Sequence, residues 1–244
     1  MNIALIGYGK MGQAIEQIAL ERGHTIVLKI NSSNAGAYTS ENIRHADAAI
    51  EFTRPELARE HVLRALQAGV PVVCGTTGWN KDLQQAKVAA IAHSTAFLHA
   101  SNFSVGVNIF FEVNRLLASL MADRPEYDVV MEETHHTQKR DVPSGTAITL
   151  AEQITGRLPR KTRWTEGPSE DPSLLPILSH RVEGVPGTHI IRYHSGIDDI
   201  EITHTAHNRR GFALGAVLAA EFIAGKTGVF DMKDVLGIGA GRSA

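Results

Sequence analysis

The chain opens with an apolar run, Asn2–Ile6, that leads without a spacer into Gly7-Tyr8-Gly9-Lys10-Met11-Gly12 and then into a helical pattern over Met11–Arg22. This order of strand, glycine turn and helix, at the G-x-G-x-x-G spacing, constrains the fold more than any other segment. Gly7 permits the tight turn, Gly9 lets backbone approach a pyrophosphate, and Gly12 lets the helix pack close to the strand. The helix N-terminus then turns N–H groups and a positive dipole end toward phosphates. Met11, Ile15 and Ile18 fall on one helix face, as an amphipathic helix over a sheet requires. Gly7, Tyr8, Gly9, Lys10, Met11 and Gly12 are therefore candidate cofactor-binding residues.

The same rhythm continues through the first hundred residues. Thr25–Ile30, Ala48–Phe52, Pro71–Cys74 and Ala96–His99 read as strands, and Glu56–Ala68 as a helix, with Gly23 and Gly69 at helix C-cap positions. Alternating βα units predict an α/β domain with a parallel sheet. An acid normally ends the second strand and binds the adenosine ribose hydroxyls of NAD. Here the segment is Lys29-Ile30-Asn31-Ser32-Ser33, and Asn31 stands in the place of that acid. Without its negative charge a 2′-phosphate is not repelled, and Asn31, Ser32 and Ser33 can donate to it, so the expectation is NADPH and/or NADH. Lys29 reads as a strand lysine facing solvent.

After Phe103 the pattern changes. A helix over Asn108–Met121 leads to a strand, Tyr127–Glu132, and the later β-patterns follow one another: Ile177–Val182, His189–His194 and Asp199–Thr205. Turn signals at Gly184, Pro186-Gly187 and Gly196-Ile197-Asp198 separate them, which suggests a second domain with a largely antiparallel α+β sheet. Gly156–Pro176, with Arg157, Arg160, Lys161 and Arg163 and no apolar period, reads as a solvated loop.

The densest polar segment runs from Glu132 to Ala147. Pro143-Ser144-Gly145-Thr146 followed by an apolar pattern reads as a helix start capped by Ser144, whose neighbouring amides at Gly145 and Thr146 suit a substrate carboxylate. Lys139 adds an ammonium, and His135 can give or take a proton near neutral pH. On the residues alone, a solvated loop with a helix cap is the commoner explanation of the segment. A metal reading draws on His135, His136, His189 and His204. It is poor, because no H-E-x-x-H helix exists, no second thiol is present, and adjacent His135 and His136 point to opposite faces if extended. The expectation is no metal.

Composition narrows the partners. Lys+Arg 24 against Asp+Glu 26 gives a formal charge of -2, which removes the attraction that nucleic-acid or anionic-membrane binding relies on. Partners are then small molecules or copies of the chain. The single cysteine, Cys74, reads as a small core residue. The apolar stretch from Phe212 to Ala224 is interrupted by Glu221 and too short to cross a bilayer, and no secretory leader pattern precedes Asn2, so a cytoplasmic location is expected.

The chain as a whole resembles the dihydrodipicolinate (4-hydroxy-tetrahydrodipicolinate) reductase family of the lysine and diaminopimelate pathway. The resemblance rests on GYGKMG from Gly7, EFTRPE from Glu51, GTTGW from Gly75, ASNFSVGVN from Ala100, HHTQKRDVPSGTA from His135, EITHTAHNRRGFALGAV from Glu201 and GVFDMKDVLG from Gly228. It implies a Rossmann-like dinucleotide-binding domain over 1–104, completed by a return segment over 209–244. It also implies an α+β substrate and oligomerisation domain with a mixed sheet over 105–208, and a homotetramer formed through the sheets of that domain.

The implied reaction removes the 4-hydroxyl of the cyclic dicarboxylate as water and reduces the conjugated imine with hydride and a proton. Carried over residue by residue, His135 is the implied proton donor or acceptor and Lys139 a second acid. His136 is implied to contact substrate, Ser144, Gly145 and Thr146 to hold one carboxylate, and Arg209 to sense domain closure. Gly75, Thr76 and Thr77, with Ala100, Ser101, Asn102 and Phe103, are implied to line the nicotinamide side. The chain departs from the family at Asn31, at Glu51 where an aspartate is common, and in a shortened second domain. Another two-domain NAD(P)-dependent dehydrogenase and a dinucleotide-sensing regulator are the competing readings.

Overall fold

The computed structural model describes residues 1–208 and 210–238. The chain divides into two compact units, Met1–Val105 with Arg210–Ala244, and Gly106–Arg209.

The first unit carries a six-stranded parallel sheet. Its strands are β1 (Asn2–Ile6), β2 (Thr25–Ile30), β3 (Ala48–Glu51), β4 (Val72–Cys74), β5 (Ala96–His99) and β11 (Gly228–Phe230), in the order β11-β5-β4-β3-β1-β2. Strand period places Ile3 and Leu5 on one face and Ala4 and Ile6 on the other, and both pairs are buried. A parallel sheet buried on both sides needs helices on both sides. Ile15 and Ile18 of α1 (Lys10–Glu21) join Ile3 and Leu5, as do Ala216, Val217 and Ala220 of α7 (Arg210–Ile223). Val62 and Leu66 of α3 (Pro55–Gln67) and Ala86 of α4 (Leu83–Ala92) join Ala4 and Ile6. Gly215 in α7 is required by contact: a Cβ there would lie 1.7 Å from the Phe103 carbonyl oxygen. Cys74 is a buried core residue of the second cluster, and burial pushes its thiol up. The short helix α2 (Ser40–Ile43) and helix α4 extend the predicted elements.

The second unit contains α5 (Val105–Leu120), whose first residue belongs to the other unit, and α6 (Gly145–Thr155). It also holds a five-stranded sheet of β6 (Asp128–His135), β7 (Arg163–Glu166), β8 (Leu174–Arg181), β9 (Gly187–His194) and β10 (Asp199–Ala206), in the order β10-β9-β6-β8-β7. The sheet is mixed: β10–β9 and β6–β9 run antiparallel, while β6–β8 and β7–β8 run parallel. The β-patterns alone pointed to a largely antiparallel sheet; the parallel pairs are β6–β8, whose connection runs through α6, and β7–β8, whose strand β7 lies within the stretch read as a solvated loop. Its cations are not free-standing. Lys161 is buried, pairs with Asp128 at 2.6 Å and donates to the carbonyls of Pro172 and Leu174. Arg160 donates to the carbonyls of Met121, Ala122 and Tyr127. Cations that saturate carbonyls leave no apolar period to read.

Val129 and Met131 of β6, Ile177 of β8, and Ile191 and Tyr193 of β9 pack on Leu150 and Ile154 of α6 and on Phe110 of α5. The alternation that buries Val129 and Met131 continues along β6 and buries Glu133 and His135 on the same face. Among the described residues, no helix is long and apolar enough to cross a membrane.

Candidate functional site

In the first unit, β1 has β2 on one side and β3 on the other, so its exit loop sits where strand order reverses, the usual ligand position of an open α/β sheet. Gly7 has φ 99°, and a Cβ would stand 2.0 Å from the Phe52 carbonyl oxygen. At Gly12 a Cβ would lie 2.4 Å from the Gly7 carbonyl oxygen. Both glycines are therefore demanded by the protein's own backbone. Gly9 is different, because its φ of -95° is ordinary and an added Cβ would meet nothing within 4 Å. Packing gives no reason for glycine there, whereas a phosphate resting on the backbone does. Helix α1 begins at Gly9 without a side-chain cap and without an acid in its first turn, so its dipole end is left for an anion. The residues present fit a dinucleotide pyrophosphate.

Flanking residues refine the loop. Tyr8 donates to Glu16, which pairs with Lys29 at 2.6 Å, while the Lys29 ammonium lies 5.2 Å from the Tyr8 ring centroid. Lys29 faces solvent as expected, and it also pairs with Glu16, the acid that receives the Tyr8 hydroxyl. Asn31 Oδ1 accepts from both the amide and the hydroxyl of Ser33, at 2.8 and 2.7 Å. Both carboxamide lone pairs are thereby used, and what Asn31 offers a ligand is its NH2 donor.

The remaining positions ascribed to the nicotinamide side lie after β4 and β5. Gly75 is required by packing, since a Cβ would meet the Phe52 ring at 2.2 Å. Thr76 is buried, its hydroxyl accepting from the Thr53 amide and its carbonyl from the Trp79 indole, so it braces the loop. Phe103 is buried against Phe52, and Asn102 Oδ1 accepts from the Ser104 amide. Thr77 and Ser101 are exposed and Ala100 is half-buried. Glu51 is also a brace: it is fully buried and accepts from Thr53 and the Cys74 thiol.

In the second unit, β-sheet register assembles the polar cluster. Glu133 of β6 stands opposite His189 of β9 and beside Ser179 of β8, and His135 pairs in register with Arg181. Glu133 is buried and accepts from the Ser144 amide at 3.1 Å and the Ser179 hydroxyl at 3.0 Å, with Arg181 Nη2 at 3.5 Å. Burial alone would raise its carboxyl; the hydrogen bonds from Ser144 and Ser179 and the nearby His135 outweigh this and hold it below the usual carboxylate range. His135 Nδ1 lies 3.5 Å from Glu133 Oε2, beyond an aligned hydrogen bond. Burial pushes the His135 imidazole down; Glu133 pulls it up, Lys139 and Arg181 push it down, and the net shift is downward.

The His135 and His189 rings meet edge to face at 5.1 Å. Burial, then His135, pushes His189 down to about 4. Beyond β6, Lys139 pairs with Asp141 at 2.6 Å, and Arg181 fastens this loop by donating to the Lys139 and Asp141 carbonyls. Ser144 caps α6 by accepting from the Ala147 amide; Gly145, at the first turn, is exposed, and a Cβ there would meet nothing within 4 Å. Thr146 and His136 are half-buried. Arg209 lies outside the described residues.

Sequence reasoning thus missed Glu133 and His189 as partners of His135. The signal was the alternation of β6, which puts residues two apart on one face, but the partner strand could not be read without register. Glu133, His135 and His189 offer three potential ligand atoms within 4.8 Å of one another. The Glu133 oxygens accept from Ser144 and Ser179, and Arg181 brings a cation beside them, which disfavours a bound metal cation there.

Comparison with known proteins shows the family. Residues 1–103 match the family model for the N-terminus of dihydrodipicolinate reductase, and residues 106–236 the model for its C-terminus. The chain is 48% identical over 236 residues to a 4-hydroxy-tetrahydrodipicolinate reductase of Christiangramia forsetii, covering 97% of this chain and 98% of the relative. It is 35% identical over 235 residues to one of Neisseria gonorrhoeae, covering 91% and 84% of the two chains. A dipicolinate-bound dihydrodipicolinate reductase from Paenisporosarcina sp. TG-14 shares the fold, with a TM-score of 0.79 at 24% identity over 96% of this chain and 98% of that one. The chain belongs to the dihydrodipicolinate reductase family, NAD(P)H-dependent oxidoreductases of lysine and diaminopimelate biosynthesis.

Proposed function

We propose that this chain reduces 4-hydroxy-tetrahydrodipicolinate to tetrahydrodipicolinate, with loss of water, using its first unit for the dinucleotide and the His135 cluster for proton transfer. The observation that carries the reading is His135, buried at the end of β6 within reach of a buried carboxylate and beside a capped helix start. Bound NAD(P)H supplies the hydride. The chain's own residues do the rest. His135 and Lys139 hold the protons needed for departure of the hydroxyl as water and for completing the reduced ring. Ser144, Gly145 and Thr146 receive one substrate carboxylate at the α6 N-terminus, and His136 contacts the substrate. A dicarboxylate suits this setting of ammonium, guanidinium and helix dipole, and the Paenisporosarcina relative binds dipicolinate, a planar dicarboxylate.

In the dinucleotide unit, Gly7, Tyr8, Gly9, Lys10, Met11 and Gly12 cradle the pyrophosphate. Thr77, Ala100 and Ser101 face the nicotinamide, with Gly75, Thr76, Asn102 and Phe103 holding their loops. Asn31 meets the adenosine ribose as a donor and so favours a 2′-phosphate. Residues 1–104 with 209–244 form the dinucleotide domain and 105–208 the substrate domain of a cytoplasmic homotetramer, an assembly that light scattering on the purified protein tests directly.

The test of function follows absorbance at 340 nm while substrate is generated in situ from pyruvate and aspartate semialdehyde by the upstream synthase, with NADH and NADPH in parallel. Oxidation that depends on the synthase is the expected result. Dinucleotide binding without any such oxidation, together with turnover of amino acids or sugars, would move the chain to another dehydrogenase activity.

A further inference from the structure

Glu133 has no place in the roles derived so far, yet it is buried and accepts from Ser144 and Ser179. Its position is fixed by sheet register. Ser179 and Arg181 approach from β8, His189 from β9, and the Ser144 amide from the start of α6. One carboxylate therefore touches the helix start that is to receive a substrate carboxylate and lies 3.5 Å from the Nδ1 of the proton-transfer histidine. Gly187 approaches the opposite edge of that ring without a side chain: a Cβ on Gly187 would lie 3.1 Å from His135 Nε2.

We propose that Glu133 is the positioning residue of the reaction, holding His135 as the Nδ1–H tautomer so that Nε2 exchanges the proton, while it anchors the α6 N-terminus to β6. The chemistry is balanced within the chain. A buried, ionised carboxylate accepts but does not donate, so the ring nitrogen facing it carries the hydrogen, and the other nitrogen takes up and releases a proton. As His135 Nε2 is protonated, Glu133 stabilises the imidazolium, as the orienting acid of a catalytic triad does. The charged and titratable groups facing His135 are Glu133 on its own strand, Arg181 on β8, His189 on β9 with His204 behind it on β10, and Lys139 and Asp141 on the loop. Of these, Lys139 and Arg181 favour the neutral ring, Glu133 and then Asp141 the charged one, and Glu133 is the buried acid of the two.

This inference rests on the reading of His135 as the proton-transfer residue, and its tests separate the two. In the wild-type protein, nitrogen NMR of the His135 ring, assigned by the loss of its signals in His135→Gln, is expected to report Nδ1–H as the neutral tautomer. That measurement needs no turnover, so it stands even if the reductase assay fails. In Glu133→Gln, which keeps an oxygen for the Ser144 amide but not the charge, the pH limb of kcat assigned to His135 is expected to move to lower pH by about one unit or more. kcat is expected to fall roughly tenfold or more, with dinucleotide affinity unchanged. A residue that merely supports the fold would lower the melting temperature without moving that limb, and Glu133→Asp is expected to restore the limb in part. An Nε2–H tautomer in the wild type, which reads out even if the glutamine variant fails to fold, would overturn the proposal, as would an unmoved limb in a folded Glu133→Gln protein.

Discussion

The glycine loop of the first unit and the histidine cluster of the second are opposite solutions to site building. The loop works through missing side chains: Gly7 and Gly12 are fixed by their own backbone contacts, and Gly9 leaves bare the start of α1. The cluster works through side chains brought together from β6, β8, β9 and the α6 start, most of them buried and several titratable. A backbone site of this kind carries partial charges that pH does not alter. A side-chain site carries charges set by burial and by one another, so its behaviour depends on pH and on partners far away in sequence. The two regions should therefore fail differently when perturbed.

The largest effect is expected in the cluster. His135→Ala and Lys139→Ala should each lower kcat by about 100-fold or more, the usual contribution of a general acid or base; near wild-type turnover in both would break the comparison at its functional end. Stability should show the same dependence on charge. His189 sits at about 4 when folded against an ordinary value of 6.5. Between those values the unfolded chain binds a proton that the folded chain does not. Stability contributed by the neutral ring is therefore present above about pH 6.5 and lost as pH falls toward 4, on the order of 3 kcal/mol in all. Urea unfolding of wild type and His189→Asn at pH 7 and pH 4 checks this, and equal slopes in both proteins would contradict it.

Smaller effects belong to the loop. Gly9→Val adds bulk where the protein leaves space, so it should fold normally and weaken dinucleotide binding by roughly tenfold or more, with a constant deficit from pH 6 to 8. Fluorescence titration with NADPH reads both quantities. Smallest of all, Asn31→Asp restores an acceptor at the ribose and should shift the NADH to NADPH preference about tenfold toward NADH, sharpening the donor-only assignment of Asn31. A preference that stays put would show that the end of β2 does not read the 2′ position.

The same contrast explains what was legible in the sequence. β1 and its loop are local: strand, turn and helix lie within twenty residues, so spacing alone carries the information, and the alternating strands and helices of the first unit followed from the same periodicity. Lys29 was legible as a solvent-facing strand lysine, but its pairing with Glu16 was not, because Glu16 lies on a different element. In the second unit the helix cap at Ser144 was local and readable, whereas Glu133 acquires its meaning from Ser179 and His189, residues 46 and 56 positions away. Strand β7 was hidden for a related reason, because Lys161 and Arg160 satisfy distant carbonyls and disguise ordered structure as a charged loop. The motif segment from His135 to Ala147 marked the polar cluster without disclosing the buried acid, Glu133, that stands beside it.

The central claim is that the first unit binds the dinucleotide through its backbone while the second moves the proton through buried side chains. Its most direct test measures, on the same preparations of wild type and His135→Ala, the NADPH dissociation constant and the synthase-coupled kcat at 340 nm. The account predicts dissociation constants that agree within about twofold and a kcat lowered by about 100-fold or more in the variant. Loss of dinucleotide affinity in parallel with turnover, or turnover that survives the substitution, would contradict it.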